Sequence, residues 1–269
     1  MSIAQTTSKS RRLFNLSLKS WFICLVLAQI TFAIYLSFGY GLTSVTSGLS
    51  EWNRFNQTAY VPDDSLGNAI YAIHVLLAII MMLGGSLQFV PTIRKRFSTF
   101  HRYNGRLFVT LACTISLAGI YLIIVRGTVG NTLLHSLTAF SGVVILVSSF
   151  FAIRAAKNRN FTLHQIWATR LFLAANGVLF FRLMIFAWMV SFGALGINTE
   201  DFTGPTVVSV SVLSYLAPLL IAELVRYTKN SNSALLYIVG ACLMFAIALV
   251  FIGGLFAITI ANWYPLVMS

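Results

Sequence analysis

Apolar residues occupy this chain in long blocks, and the polar stretches between them are short. About seven blocks reach the roughly 20 residues that a helix needs to cross a bilayer: roughly 19–42, 67–91, 103–125, 131–153, 165–193, 206–227 and 234–262. The fifth is long enough to tilt or to end in a short interfacial segment. The seventh carries Gly253 and Gly254, where a bend is a natural expectation. The pattern predicts an all-α, polytopic membrane helical bundle.

Composition agrees. Hydrophobic residues make up 58% of the 269 positions and charged residues 9%, with a mean hydropathy of +0.85. Soluble domains carry roughly a quarter charged residues, so a soluble enzyme or a soluble nucleic-acid binder is excluded as the main reading. Disorder needs low hydrophobicity and is excluded too. Cys24, Cys113 and Cys242 all lie in apolar runs, with no Cys-x-x-Cys or Cys-x-x-Cys-His motif. Zinc ribbons, thioredoxin-type chemistry and covalent c-type haem are therefore not indicated.

The net charge of +12 gives direction rather than a nucleic-acid partner. Basic residues gather in the N-terminal tail (Lys9, Arg11, Arg12, Lys19), after the second block (Arg94, Lys95, Arg96, Arg102, Arg106), after the fourth (Arg154, Lys157, Arg159, with Arg170 just beyond) and after the sixth (Arg226, Lys229). The alternate loops hold Glu51, Arg54, Asp63 and Asp64, then Arg126, then Glu200 and Asp201. The positive-inside rule places the N-terminus in the cytoplasm and the C-terminus outside, in the cell inner (cytoplasmic) membrane. Ser10-Arg11-Arg12-Leu13-Phe14 resembles a twin-arginine export signal, but the apolar run after it is longer than a signal h-region and lacks an obvious cleavage site. No internal repeat argues for an inverted duplication. Four regions follow: a basic cytoplasmic tail (1–18), a first transmembrane helix with an outer loop (19–65), a four-helix core (66–195), and an outer loop with two C-terminal helices (196–269).

The four histidines fall one each on blocks two to five: His74, His101, His135 and His164. All lie near the starts of their helices, so antiparallel neighbours carry His74 and His135 toward the outer face, and His101 and His164 toward the cytoplasmic face. Ionisable groups in spans are costly and default to a functional reading. A helix N-terminus disfavours imidazolium, and neutral imidazole is the metal-binding form. Small residues follow at helical spacing: Ala78 and Gly85; Gly105, Ala112, Ser116 and Gly119; Thr138, Ala139 and Gly142; Ala168 and Ala175. They leave room for a bulky planar guest, or they let helices pack closely. Arg182 lies on the face of His164, about five turns and 27 Å along the axis. There it pairs with a haem propionate or snorkels to the outer interface. Gln88 lies near the inner pole.

Two imidazoles from facing helices make a six-coordinate iron, which suits electron transfer because no position is left open for a substrate. Zinc is a weaker reading, since it wants four close ligands. The expectation is a four-helix haem-binding core from spans two to five. It would hold two haems, one between the two histidines at each pole; the resemblance below implies b haems ligated by His74 with His135 and by His101 with His164. Arg182 and Arg106 are further cofactor-binding candidates. The competing readings are a haem-free transporter or channel whose histidines and Arg182 line a path, and a sensor or scaffold.

The segments Leu87-Gln88-Phe89-Val90-Pro91, Arg94, His101-Arg102-Tyr103-Asn104-Gly105-Arg106 and His164-Gln165-Ile166-Trp167, with Arg170 and Arg182, resemble a bacterial integral-membrane family known as domain of unknown function 2306. The resemblance covers roughly 70–235, and the His-Arg-x-x-Gly-Arg block is its most specific part. The histidine layout is similar to that of the cytochrome b561 superfamily, in which the first histidine pairs with the third and the second with the fourth around two b haems. That superfamily has six spans, and the inner histidines here are shallower, so the resemblance supports the outer site more than the inner one. The implied partners are the lipid bilayer and an electron donor such as quinol or a small reductant. A basic inner surface including Arg94, Lys95, Arg96, Arg102, Arg106 and Arg170 would suit an anionic reductant or anionic lipid. A homodimer stays open, and no nucleic acid is expected. The activity implied is transmembrane oxidoreduction.

Overall fold

The computed structural model describes residues 3–127 and 132–268; the expected start of the fourth span, at 131, lies outside them. The elements in order are α1 (Ile3–Leu36), extended by a π-helical stretch (Ser37–Leu42), α2 (Thr43–Thr46), a 3-10 turn (Leu49–Arg54), α3 (Ser65–Leu87), α4 (Pro91–Arg96), α5 (Ser98–Arg126), α6 (Thr132–Lys157), α7 (Phe161–Ala175), α8 (Gly177–Phe192), α9 (Pro205–Lys229), α10 (Ala234–Ile258) with a π-helical end (Thr259–Trp263), and α11 (Tyr264–Met268). Among the described residues the chain is helical with no named strand; one isolated bridge joins Asn198 and Thr203. Six segments are long and apolar enough to cross a membrane: Thr7–Thr46, Ser65–Leu87, Ser98–Arg126, Thr132–Lys157, Pro205–Lys229 and Ala234–Met268. A seventh crossing results if the bent pair α7 and α8 counts as one span.

Local chemistry sets the ends. Asp64 caps α3 by accepting from the Gly67 N–H at 2.9 Å. Gly127 ends α5 at φ +69°, a conformation that L side chains rarely adopt. Asn160 caps α7 through the Leu163 N–H at 3.0 Å. The basic segment before the first span is not a separate tail. Ile3–Leu36 contains neither glycine nor proline, so the helix runs through it unbroken. Phe14 there is buried against Tyr237 of α10, with ring centres 5.7 Å apart.

The fifth span departs most from expectation. It bends by 50° between α7 and α8. Asn176 and Gly177 sit at the break, where the regular carbonyl ladder is interrupted. The bend lets α7 pack on α6 while α8 packs on α10 and α9. Elsewhere α1 packs on α10 and α3, α3 on α5, and α5 on α6. A buried polar tie holds the break: Gln29 of α1 donates to Asn176 Oδ1 at 2.8 Å and accepts from the Ser86 hydroxyl of α3. The expected bend at Gly253 and Gly254 is absent, since α10 continues through both. Gly254 serves close packing instead: a methyl there would collide with the Leu183 carbonyl of α8.

Candidate functional site

His74 lies inside the bundle, about nine residues into α3. Its Nδ1 is 2.9 Å from the Ile115 carbonyl oxygen of α5. A carbonyl oxygen only accepts, so Nδ1 carries the proton and donates, leaving the Nε2 lone pair unused. The ring rests against Gly119, where a Cβ would stand 3.0 Å from Cε1. His164 repeats this arrangement at the opposite end of the bundle, where the basic residues gather: its Nδ1 donates to the Ala152 carbonyl of α6 at 2.9 Å. A histidine that donates one ring nitrogen to a main-chain carbonyl has its tautomer and orientation fixed for ligation through the other.

The remaining histidines are held differently. His101, in the first turn of α5, lies within electrostatic reach of His164 and Arg94. In the amide orientation that satisfies all its neighbours, Gln88 accepts from the Gly105 N–H and donates to His101 Nδ1 at 3.1 Å. That bond puts the His101 proton on Nε2. His135, in the first turn of α6, sits beside Gly127, its Cε1 3.7 Å from where a Cβ would be. Gly119 and Gly127 are about 12 Å apart along α5. His74 and His135 therefore meet α5 at two levels, where the sequence reading expected a common depth.

Arg182 does not inherit the face of His164, because the helix is bent between them. Its guanidinium lies 5.4 Å from the Phe32 ring centre, within electrostatic reach of His74, Tyr35, Tyr40, Tyr71 and Tyr215. Its hydrogen bond is a long one, 3.4 Å to the Val178 carbonyl, and no carboxylate pairs with it among the described residues. Arg106 is exposed and lies over Tyr103 at 5.7 Å; among the described residues it makes no polar contact with either histidine pair. Arg170 is not a free member of the basic surface, since it pairs with Glu223 at 2.7 Å.

The small residues mostly serve packing. A Cβ at Gly85 would meet the Phe108 ring, one at Gly105 the Gln88 amide, and one at Gly142 both Ile120 and Ser116. Gly119 alone of these makes room for a histidine ring.

Sequence reasoning missed a polar cluster at the C-terminal end of α5. Arg126 bonds Asp64 at 2.7 Å, Asn68 at 2.7 Å, and the carbonyls of Thr58 and Ala59. It ties the 43–64 loop over the end of the bundle, and its hydrogen bond to Asp64 holds that carboxyl below its ordinary range. The buried tie among Gln29, Ser86 and Asn176 was also missed. Its signal was present: an isolated glutamine and an Asn-Gly pair inside otherwise apolar runs.

A polydentate metal site is not formed: among the described residues no three His, Cys, Asp or Glu side chains cluster. A porphyrin supplies four ligands itself and needs only two imidazoles. His74 and His164 each present one such imidazole, at opposite ends of the bundle.

No curated protein and no solved structure matches the chain. Residues 71–226 match the family described as Predicted membrane protein (DUF2306). That stretch is more than half of the chain and includes all four histidines and Arg182, so the chain belongs to this family of membrane proteins.

Proposed function

We infer that the chain is a b-type, di-haem membrane cytochrome that carries electrons across the bilayer, its N-terminus on the cytoplasmic side of the inner membrane. The observation that carries this reading is the pair of matched hydrogen bonds, His74 to Ile115 and His164 to Ala152, one toward each end of the bundle. Each fixes Nδ1 as the donor and leaves Nε2 as the lone-pair nitrogen. His74 with His135, and His101 with His164, would be the axial ligands. Haem bound in this way supplies reversible one-electron transfer. The protein's own part is to fix the rings and to hold charge. The Ile115 and Ala152 carbonyls orient two ligands, and Arg182 offers an unneutralised cation for an anionic edge near His74. The 43–64 loop, fastened by Arg126, covers the outer end. Two adjustments are part of the reading: His135 must turn from Gly127 toward His74, and the Gln88 amide must reverse so that His101 frees its Nε2.

The test is a substitution series on protein expressed with ample haem precursor. His74→Ala is expected to remove one component of the reduced-minus-oxidised b-type spectrum and His164→Ala the other. Loss of the same component in both, or of neither, contradicts the assignment. The unpaired Arg182 favours one rival, a haem-free anion path; uptake of an anion into vesicles by colourless protein would support it.

A further inference from the structure

A groove of about 410 Å³ opens between α6, α7 and α9. This volume lies within the range of small-molecule sites, about 300–1,000 Å³. One end is polar: Ser148 of α6, the Arg170–Glu223 ion pair joining α7 to α9, and Trp167. The rest is aliphatic, with Val143, Val147 and Leu220 among its walls. Val147 and Leu220 are 42% and 71% exposed, so the groove can be reached from the side.

The Ser148 side chain is 1% exposed, and its Oγ has no hydrogen-bond partner among the described residues. Leaving a buried hydroxyl without a partner is costly, and an occupant bringing an acceptor oxygen would relieve that. Charge narrows the class of occupant. Arg170 is engaged by Glu223 at 2.7 Å, and its guanidinium lies 4.5 Å from the Trp167 ring centre. A phosphate would find no free cation there. Depth narrows it further: Ser148 and Arg170 each lie about 13 Å along their helices from the basic end, deeper than a phospholipid headgroup sits. A neutral ring with carbonyl oxygens and an apolar chain matches the hydroxyl and the aliphatic walls, with the Trp167 indole alongside. Trp167 is also one helical turn from His164 and stacks on Phe151 at 4.6 Å.

We propose that this groove is a binding site for a membrane quinone or its quinol, the ring at Ser148 and Trp167 and the chain along Val143, Val147 and Leu220. As the donor or acceptor for the neighbouring His164 end, the occupant rests on the cytochrome reading for its purpose. Its binding does not, so the two can fail separately.

The experiment titrates the full chain in detergent with decylubiquinone and follows tryptophan fluorescence, which quinones quench. A saturable component is expected. It should disappear in Trp167→Phe, weaken three- to tenfold in Ser148→Ala, and be blocked in Val147→Phe and in Leu220→Phe, which fill an exposed wall without touching the core. Quenching that is non-saturable, or that persists with wild-type affinity in both filling variants, overturns the site. So does complete displacement by phosphatidylglycerol at an equal mole fraction, which would make the groove a lipid seat. Saturable binding to protein that carries no haem would leave the quinone site standing and remove the cytochrome reading.

Discussion

Replacing Gln29 with leucine changes side-chain volume little and removes one polar partner from the middle of the bundle. Gln29 is 2% exposed. Its Nε2 donates to Asn176 Oδ1 at 2.8 Å, and its Oε1 accepts from Ser86. In Gln29→Leu, Asn176 keeps its 2.8 Å bond to the Phe172 carbonyl, but its Oδ1 is left without a donor. Ser86 can rotate onto a carbonyl of its own helix, the usual fallback for a helical serine. One orphaned buried acceptor costs about 1–3 kcal/mol. Interhelical hydrogen bonds in membranes run lower, averaging about 0.6 and reaching about 1.7 kcal/mol. The expected loss is therefore about 1–2 kcal/mol, read as a shift of the unfolding midpoint when dodecyl sulfate is titrated into mixed micelles. Asn176→Leu should cost a similar amount. The double variant should lose less than the sum, because no polar group is then stranded. A loss below about 0.3 kcal/mol in Gln29→Leu, or strict additivity in the double variant, would show that the tie does not hold the bend.

Other expectations follow from single contacts. The Asp64 carboxyl is depressed by Arg126, so its stabilising effect is present above the ordinary carboxylate range near pH 4 and is lost as pH falls through its lower folded value. Asp64→Asn should flatten the acid limb of a stability–pH profile below about pH 4 and leave it unchanged in shape at neutral pH. Gly254→Ala should cost about 1–3 kcal/mol through collision with the Leu183 carbonyl, while Gly253→Ala, which meets nothing within 4 Å, should be neutral or stabilising in the same unfolding assay. Gly119→Ala should push the His74 ring off the Ile115 carbonyl and shift or abolish the spectral component that His74→Ala removes.

Hydropathy made the spans legible, because about 20 apolar residues have few fates other than burial in lipid. The histidines' helices and ends were legible for the same reason. What each ring touches was not. Periodicity reports the face of an isolated helix, whereas the His74–Ile115 and His164–Ala152 bonds depend on the register between neighbours. Arg182 is the clearest case. Counting turns from His164 assumed a straight rod, and the break at Asn176 voids that count, although Arg182 still reaches the surroundings of His74. Small residues were ambiguous in the same way. Gly85 and Gly119 look alike in sequence, yet one admits a phenylalanine and the other an imidazole. Arg126 read as an isolated loop charge because its partners, Asp64 and Asn68, come from a segment about 60 residues earlier that folds back over it.

If these imidazoles serve iron, purified protein carries haem in fixed proportion to chain. The full chain, expressed with haem precursor and purified in mild detergent, is assayed for haem b per polypeptide. About two per chain are expected, low-spin as full axial ligation requires, falling to about one in His74→Ala. Protein that is folded, monodisperse and free of haem would contradict this expectation.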